Sequence, residues 1–348
     1  MEVLQLTKIL ILSVLSFLIA FGITPFISRI LNRFQLKKQI RTSDATPIFS
    51  KLHEKKAGTP TMGGIIIWAT VLGMALLFWI LSGLFDGLWG YLNFVDRAQT
   101  YLPIAAMFIA ATLGLADDLL GVLKIGPHGG GLRISQKLVV YIFLALLGAL
   151  WFYYRLDWDV LLVPFIGNVQ IGWLYIPLFM FIIVASAFSA NETDGLDGLL
   201  GGVMLFAFIA LTTVAFVLGR YHLAAFGGVT IGALLAFLWF NIYPARFFMG
   251  DTGSMSLGIT MGIIAMLTNT TLLLPFFASI LVIVSLSVII QVISKRFFGR
   301  KVFLVAPIHH HFEALGWPET KVTMRFWIIS AIFCVLGLVI FFLNRFLI

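Results

Sequence analysis

Charged side chains divide this chain into nine runs that carry none, at 9–28, 57–85, 98–116, 138–154, 160–191, 198–219, 221–245, 252–294 and 326–344. A helix needs about 20 predominantly apolar residues to cross the hydrocarbon core of a bilayer, with a range of about 17–25, so each run predicts at least one crossing. The run at 252–294 has 43 residues. As one helix it would measure about 65 Å, roughly twice the hydrocarbon thickness, so it is predicted to turn back near "TNTTLLLP". Ten crossings follow, and an even number leaves both termini on one side. The predicted fold is an all-α polytopic membrane protein with ten transmembrane helices. One short exception is expected on the face that holds the termini. There "WFYYRLDWDVLLVPFIGNVQIGW" is rich in interfacial aromatics, and "FIGNVQI" alternates around a Gly167-Asn168 turn, which predicts a β-hairpin lying on the membrane.

Composition agrees with this pattern. With 61% hydrophobic and 11% charged residues among 348, the chain has too little polar surface to dress a soluble globule. No small-residue cleavage pattern follows the first apolar run, so it reads as a retained helix. The one cysteine, Cys334, excludes an internal disulfide and any cysteine-based metal cluster. Eighteen of the 23 Lys and Arg residues fall in loops of one face and five on the other. The positive-inside rule puts the rich face in the cytoplasm and both termini outside. The net charge of +8 is thereby an orientation signal that also attracts anionic lipid or substrate, and nothing in it points to nucleic acid. The chain reads as one integral-membrane domain, 1–348, whose loops 29–58, 117–137, 191–198, 241–254 and 295–325 face the cytoplasm.

The polar motifs all fall on that same face: "HEKKAGTPTMGG" (53–64), "LADD" (115–118), "NETDGLDG" (191–198), "NIYPARFFMGDTGS" (241–254) and "PIHHHFE" (307–313). Each also has a plain structural reading. Asp117 and Asp118 fit a solvated helix end, but a helix C-terminus disfavours anions, so a doublet there calls for a cation or proton. Asp194 and Asp197 are spaced to share a helical face, while the neighbouring glycines fit an ordinary turn equally well. Asp251, between a glycine and "TGS", fits a helix N-cap. Three consecutive histidines fit a structural metal site, yet successive residues point in different directions, so phosphate or sugar contacts suit them better. "GTPTMGG" also fits a flexible entry to a span, and Lys56 an orientation charge. Together the motifs gather five acids, basic residues, histidines and glycine-rich turns at one membrane boundary. Carboxylates without cysteine favour a hard cation such as Mg²⁺, which bridges carboxylates and substrate phosphates. The chemistry indicated is phosphoryl transfer.

In this order, "KAGTPTMGG", "NETDGLDGL", "FMGDTGS" and "APIHHHFEALGW" followed by "RFW" closely resemble the polyprenyl-phosphate N-acetylhexosamine-1-phosphate transferase superfamily, and within it the muramoyl-pentapeptide transferase family. The histidine signature marks that branch. The resemblance implies a bacterial inner-membrane enzyme, often a homodimer, that depends on Mg²⁺. Its implied substrates are UDP-N-acetylmuramoyl-pentapeptide and undecaprenyl phosphate, its products lipid I and UMP. Position by position, Asp117 matches the acid that deprotonates or orients the lipid phosphate, Asp118 its partner near the diphosphate, and Asp251 the Mg²⁺ ligand. Lys56, Asn191, Asp194, Asp197 and Phe248 match positions for uridine and ribose, with Phe248 placed to stack on uracil. Asn241, His309, His310 and His311 match polar groups around the diphosphate and sugar. One position departs from the pattern. The family commonly has lysine three residues after the second aspartate, where this chain has Gly121, so that neutralisation falls to Lys124 or another basic side chain, or is weaker.

Two alternatives remain at this stage. One is transfer of GlcNAc-1-phosphate to the same lipid, against which the histidine signature argues. The other is a cation-coupled transporter, whose acids would line a path near the bilayer midplane instead of clustering at one boundary.

Overall fold

The computed structural model describes residues 2–34, 36, 58–126 and 130–347. Lys56 and most of loop 29–58 lie outside the described residues. Ten helices dominate: α1 (Glu2–Arg33), α2 (Ile65–Leu84), α3 (Tyr101–Val122), α4 (Ile134–Arg155), α5 (Tyr175–Thr193), α6 (Leu199–Val217), α7 (Tyr221–Asn241), α8 (Gly250–Leu267), α9 (Ser279–Phe298) and α10 (Glu319–Leu347). Among the described residues, nine of these are long and apolar enough to cross a membrane, and α8 is not among the nine. It stands where the tenth span is predicted. Its 18 residues make a rod about 27 Å long. Every residue of α8 except Asp251 is buried, so it is sheathed by other helices and needs no lipid-facing apolar surface. That sheath lets it carry Thr252, Ser254, Ser256 and Thr260, whose hydroxyls would be costly against lipid. The chain reverses after α8 through a 3₁₀ turn and the short helix Leu274–Phe277, where the length of the run requires a reversal.

Close approach of small residues holds the bundle. Lipid is as apolar as leucine, so helices in a membrane associate by contact and hydrogen bonding rather than by the hydrophobic effect. Gly232 of α7 lies against the backbone of Ser13 in α1, Gly258 of α8 against Ser186 and Ala187 of α5, and Gly114 of α3 against the backbone of Asp251 and Thr252. Large apolar side chains such as Trp79, Phe108, Phe143, Phe181 and Ile328 stand exposed on the outside, as a lipid-facing surface demands.

Both termini lie on one face. Lys8 of α1 donates to the Asn93 carbonyl at 2.7 Å, beside the short helix Leu88–Leu92 that follows α2. At the other end of the chain, Asn344 accepts the Phe165 N–H at 2.6 Å. Phe165 belongs to the predicted hairpin, whose antiparallel strands β1 (Val160–Val163) and β2 (Gly167–Gln170) pair Val160 with Gln170 and Val163 with Gly167. The turn itself sits earlier than the sequence indicated. It occupies 164–166, and Gly167 and Asn168 are strand residues. Pro164 cannot donate to the ladder and Phe165 takes a φ of 65°, so the chain reverses there and Gly167 resumes pairing.

Candidate functional site

On the face opposite the termini, five helix ends converge: the C-termini of α3, α5 and α7 and the N-termini of α4 and α8. The N-terminus of α8 is the hub. A helix start leaves backbone N–H groups without intrahelical partners. Here acids from two other segments satisfy them: Asp194 Oδ2 accepts the Gly250 N–H at 3.1 Å and Asp118 Oδ2 accepts the Thr252 N–H at 3.0 Å. Asp251 is therefore not the N-cap that its sequence context fitted. It lies in the first turn, and its carboxylate is released for other partners. Asn191 donates to Asp251 Oδ1 at 2.8 Å, and Lys137 forms a tight ion pair with Asp251 Oδ2.

Lys137 also reaches Asp117. Its ammonium lies 2.7 Å from Asp117 Oδ2, while the other oxygen of Asp117 accepts the Leu132 N–H at 2.5 Å. Two acids from different helices thus share one ammonium. Asp117 is 6% exposed, whereas Lys137 and Asp251 each keep 18%, so the trio opens on the Asp251 side. Lys124, the sequence candidate for neutralising this region, stands exposed beyond the end of α3. Sequence reasoning counted Lys137 only among orientation charges, and no spacing distinguished it from them.

The remaining acids fasten loops. Asp197 accepts the Ala245 N–H at 3.0 Å, and its own N–H donates to Glu319 at 2.6 Å. Asp194 and Asp197 do not share a helical face, because the chain leaves the helix at Thr193 and turns through Gly198 at a φ of 73°. Asn241 is buried, accepting the Gly198 N–H at 3.1 Å and donating to the Phe247 carbonyl at 2.8 Å. These bonds clamp segment 241–250 onto the 194–198 turn. Whereas its neighbour Phe247 is fully buried, Phe248 is half-buried. Its backbone pairs with Pro60 and Gly63, each at 2.8 Å, which brings "GTPTMGG" to the site.

The three histidines occupy the short helix Ile308–Ala314 and point different ways. His309 and His310 are buried with their rings 4.2 Å apart, and both Nε2 atoms face Gly195 so closely that a Cβ there would collide. His310 Nδ1 pairs with Glu313 at 2.7 Å. That glutamate went unassigned in the sequence, although its position three residues on from His310 was a readable helical signal. His311 turns away and accepts the Leu304 N–H at 3.2 Å.

An apolar cavity of ≈ 610 Å³ is lined by Leu138 and Ile142 of α4 and lies between α5 and α9, with Phe181, Ser189 and Leu286 on its walls. Among the described residues, no three His, Cys, Asp or Glu side chains form a metal-binding group. A metal here draws on few protein ligands, and the donors at hand are the hard carboxylate oxygens of Asp117 and Asp251 with the Asn191 amide. That set fits a cation that keeps water or phosphate in most of its coordination positions, as Mg²⁺ does.

The profile of glycosyl transferase family 4 matches residues 100–269, and signature 1 of the phospho-N-acetylmuramoyl-pentapeptide-transferases matches residues 56–67. Curated relatives named phospho-N-acetylmuramoyl-pentapeptide-transferase include one from Anoxybacillus flavithermus, 36% identical over 94% of this chain and 95% of its own. Another, from Clostridium perfringens, is 38% identical over 94% of this chain and 96% of its own. A third, from Desulfosudis oleivorans, is 38% identical over 91% and 88%.

Proposed function

This chain belongs to the phospho-N-acetylmuramoyl-pentapeptide-transferase family, and from that membership we propose that it transfers phospho-N-acetylmuramoyl-pentapeptide from its UDP carrier to undecaprenyl phosphate, giving lipid I and UMP. An oxygen of the lipid phosphate bonds to the sugar-side phosphorus, the bridging P–O bond breaks, and UMP leaves with that bridging oxygen. The observation that carries this reading is the sharing of Lys137 between Asp117 and Asp251, with an apolar cavity lined from Leu138, the next residue along α4. An isoprenoid chain suits such a cavity.

In this reading the residues act mainly by positioning and neutralising charge, which is most of what phosphoryl transfer requires. Asp117, held by Leu132 and Lys137, orients the lipid phosphate or takes its proton. Asp251, fixed by Asn191, would hold Mg²⁺, with Asp117 across the shared ammonium as the other carboxylate at hand. When bound, Mg²⁺ neutralises the charge of the two phosphate groups. Phe248 stacks on uracil, and Lys56, Asp194 and Asp197 complete the uridine and ribose side. His309 and His310 lie on the diphosphate and sugar side, with Asn241 clamping the neighbouring loop and Asp118 keeping α8 in place. The protein works as a single domain, and as a homodimer, in the bacterial inner membrane. Its site faces the cytoplasm, where the basic loops lie. Purified protein given undecaprenyl phosphate and each UDP-sugar in turn should release UMP from UDP-N-acetylmuramoyl-pentapeptide. Release from UDP-GlcNAc instead would move the chain to the other branch's activity.

A further inference from the structure

Lys137 enters the site from the first turn of α4 and touches acids of two other helices, Asp117 of α3 and Asp251 of α8. Each acid has its Oδ1 engaged elsewhere, Asp117 by the Leu132 N–H and Asp251 by the Asn191 amide. Both carboxylates are therefore fixed in orientation, with their Oδ2 atoms turned to one shared point. Two anions converging in a partly desolvated place repel unless a cation sits between them. The ammonium supplies that cation. A divalent ion coordinating Asp251 Oδ2 would stand against the ammonium, and two cations cannot share one oxygen at coordination distance without strong repulsion.

We propose that Lys137 is a built-in counter-cation: in the metal-free protein its ammonium neutralises Asp251, and a divalent cation takes Asp251 only by displacing it. The inference rests on the reading of this site as a Mg²⁺-dependent phosphoryl-transfer centre. Displacement costs the ammonium one partner and leaves it the other, Asp117, so it stays beside the reacting phosphates. The arrangement offsets part of the negative charge of the two acids without metal. It also makes metal binding weak until a diphosphate adds further ligands, which couples metal loading to arrival of the sugar nucleotide. Because Gly121 offers no charge, Lys137 carries this role without help from that position.

The test uses full-length purified protein without substrate, titrated with Mn²⁺ while free Mn²⁺ is read by electron paramagnetic resonance. Lys137→Met should bind Mn²⁺ more tightly than the parent by ~tenfold or more, since the competing charge is gone. Its thermal unfolding temperature in EDTA should fall below that of the parent, and Mn²⁺ should raise it further than it raises the parent's. Lys137→Arg, which restores a cation, should return toward the parent's weaker affinity. If metal-free Lys137→Met fails to fold, recovery by Mn²⁺ supports the proposal and no recovery counts against it. A Lys137→Met protein that binds Mn²⁺ no more tightly than the parent overturns the inference alone. A parent that binds no Mn²⁺ even with UDP-sugar present removes the metal reading beneath it.

Discussion

Asp118 Oδ2 accepts the Thr252 N–H at 3.0 Å, so the last turns of α3 hold the first turn of α8 and, one residue away, Asp251. Removing that acceptor leaves a buried N–H without its partner, which costs about 1–3 kcal/mol. Asp118→Ala should therefore lower the thermal unfolding temperature as well as activity. Asp118→Asn keeps an oxygen in place and should recover most of the stability. An alanine variant as stable as the parent would mean that Asp118 serves substrate alone.

Gly114 makes the second contact between these helices. A Cβ there would run into the backbone of Asp251 and Thr252, which cannot rotate aside as a side chain can. Gly114→Ala should push α8 away and cost about 1–3 kcal/mol in overpacking. Turnover should fall further than stability, because the displaced atoms carry Asp251. Parent-like unfolding and UMP release would show that α3 and α8 do not pack at this point.

Gly121 behaves in the opposite way. A Cβ built there meets nothing among the described residues, and glycine inside a helix costs up to about 1 kcal/mol relative to alanine. Gly121→Lys, which restores the residue common in the family, should fold at least as stably as the parent and keep its activity, because Lys137 already neutralises the acids. A severe loss of turnover would indicate that the open surface over Gly121 is itself needed by substrate.

The contrast among these residues explains how much of the site could be read from sequence. Asp117, Asp251 and Asn191 stood out because polar groups at the ends of apolar runs are costly and call for a purpose. The reversal after α8 followed from length alone. Lys137 was hidden for a physical reason: the cytoplasmic ends of membrane spans are rich in basic residues that set orientation, and a lysine there that pairs with acids of other helices has no distinguishing pattern. The roles of Asp118, Asp194 and Asp197 toward the backbone of 245–252 were equally hidden, because only folding brings a helix start and the loop before it under acids 48 to 134 positions away in sequence. The hairpin was legible from its alternation, but its turn was displaced because Pro164 and Phe165 reverse the chain before Gly167 does.

Orientation can be tested without catalysis. In a Cys334→Ser background, a cysteine at exposed Asn168 on the hairpin should react with an impermeant thiol reagent in intact spheroplasts. One at exposed Lys301, beyond the end of α9, should react only after the cells are opened. The reverse pattern would put the site on the outer side of the membrane.

The central claim is that Asp117 and Asp251 are the reacting centre and that they do different things there. It is tested most directly by titrating Mg²⁺ against UMP release for the parent, Asp117→Asn and Asp251→Asn, with UDP-N-acetylmuramoyl-pentapeptide and undecaprenyl phosphate in excess. Asp251→Asn keeps the shape of the side chain but loses its charge, so turnover should fall and return in part at high Mg²⁺ or with Mn²⁺. Asp117→Asn should stay depressed by ~10² or more at saturating metal, with its Mg²⁺ dependence little changed. Recovery of Asp117→Asn by metal while Asp251→Asn stays inert would invert the two roles, and parent-like turnover in both variants would contradict the account.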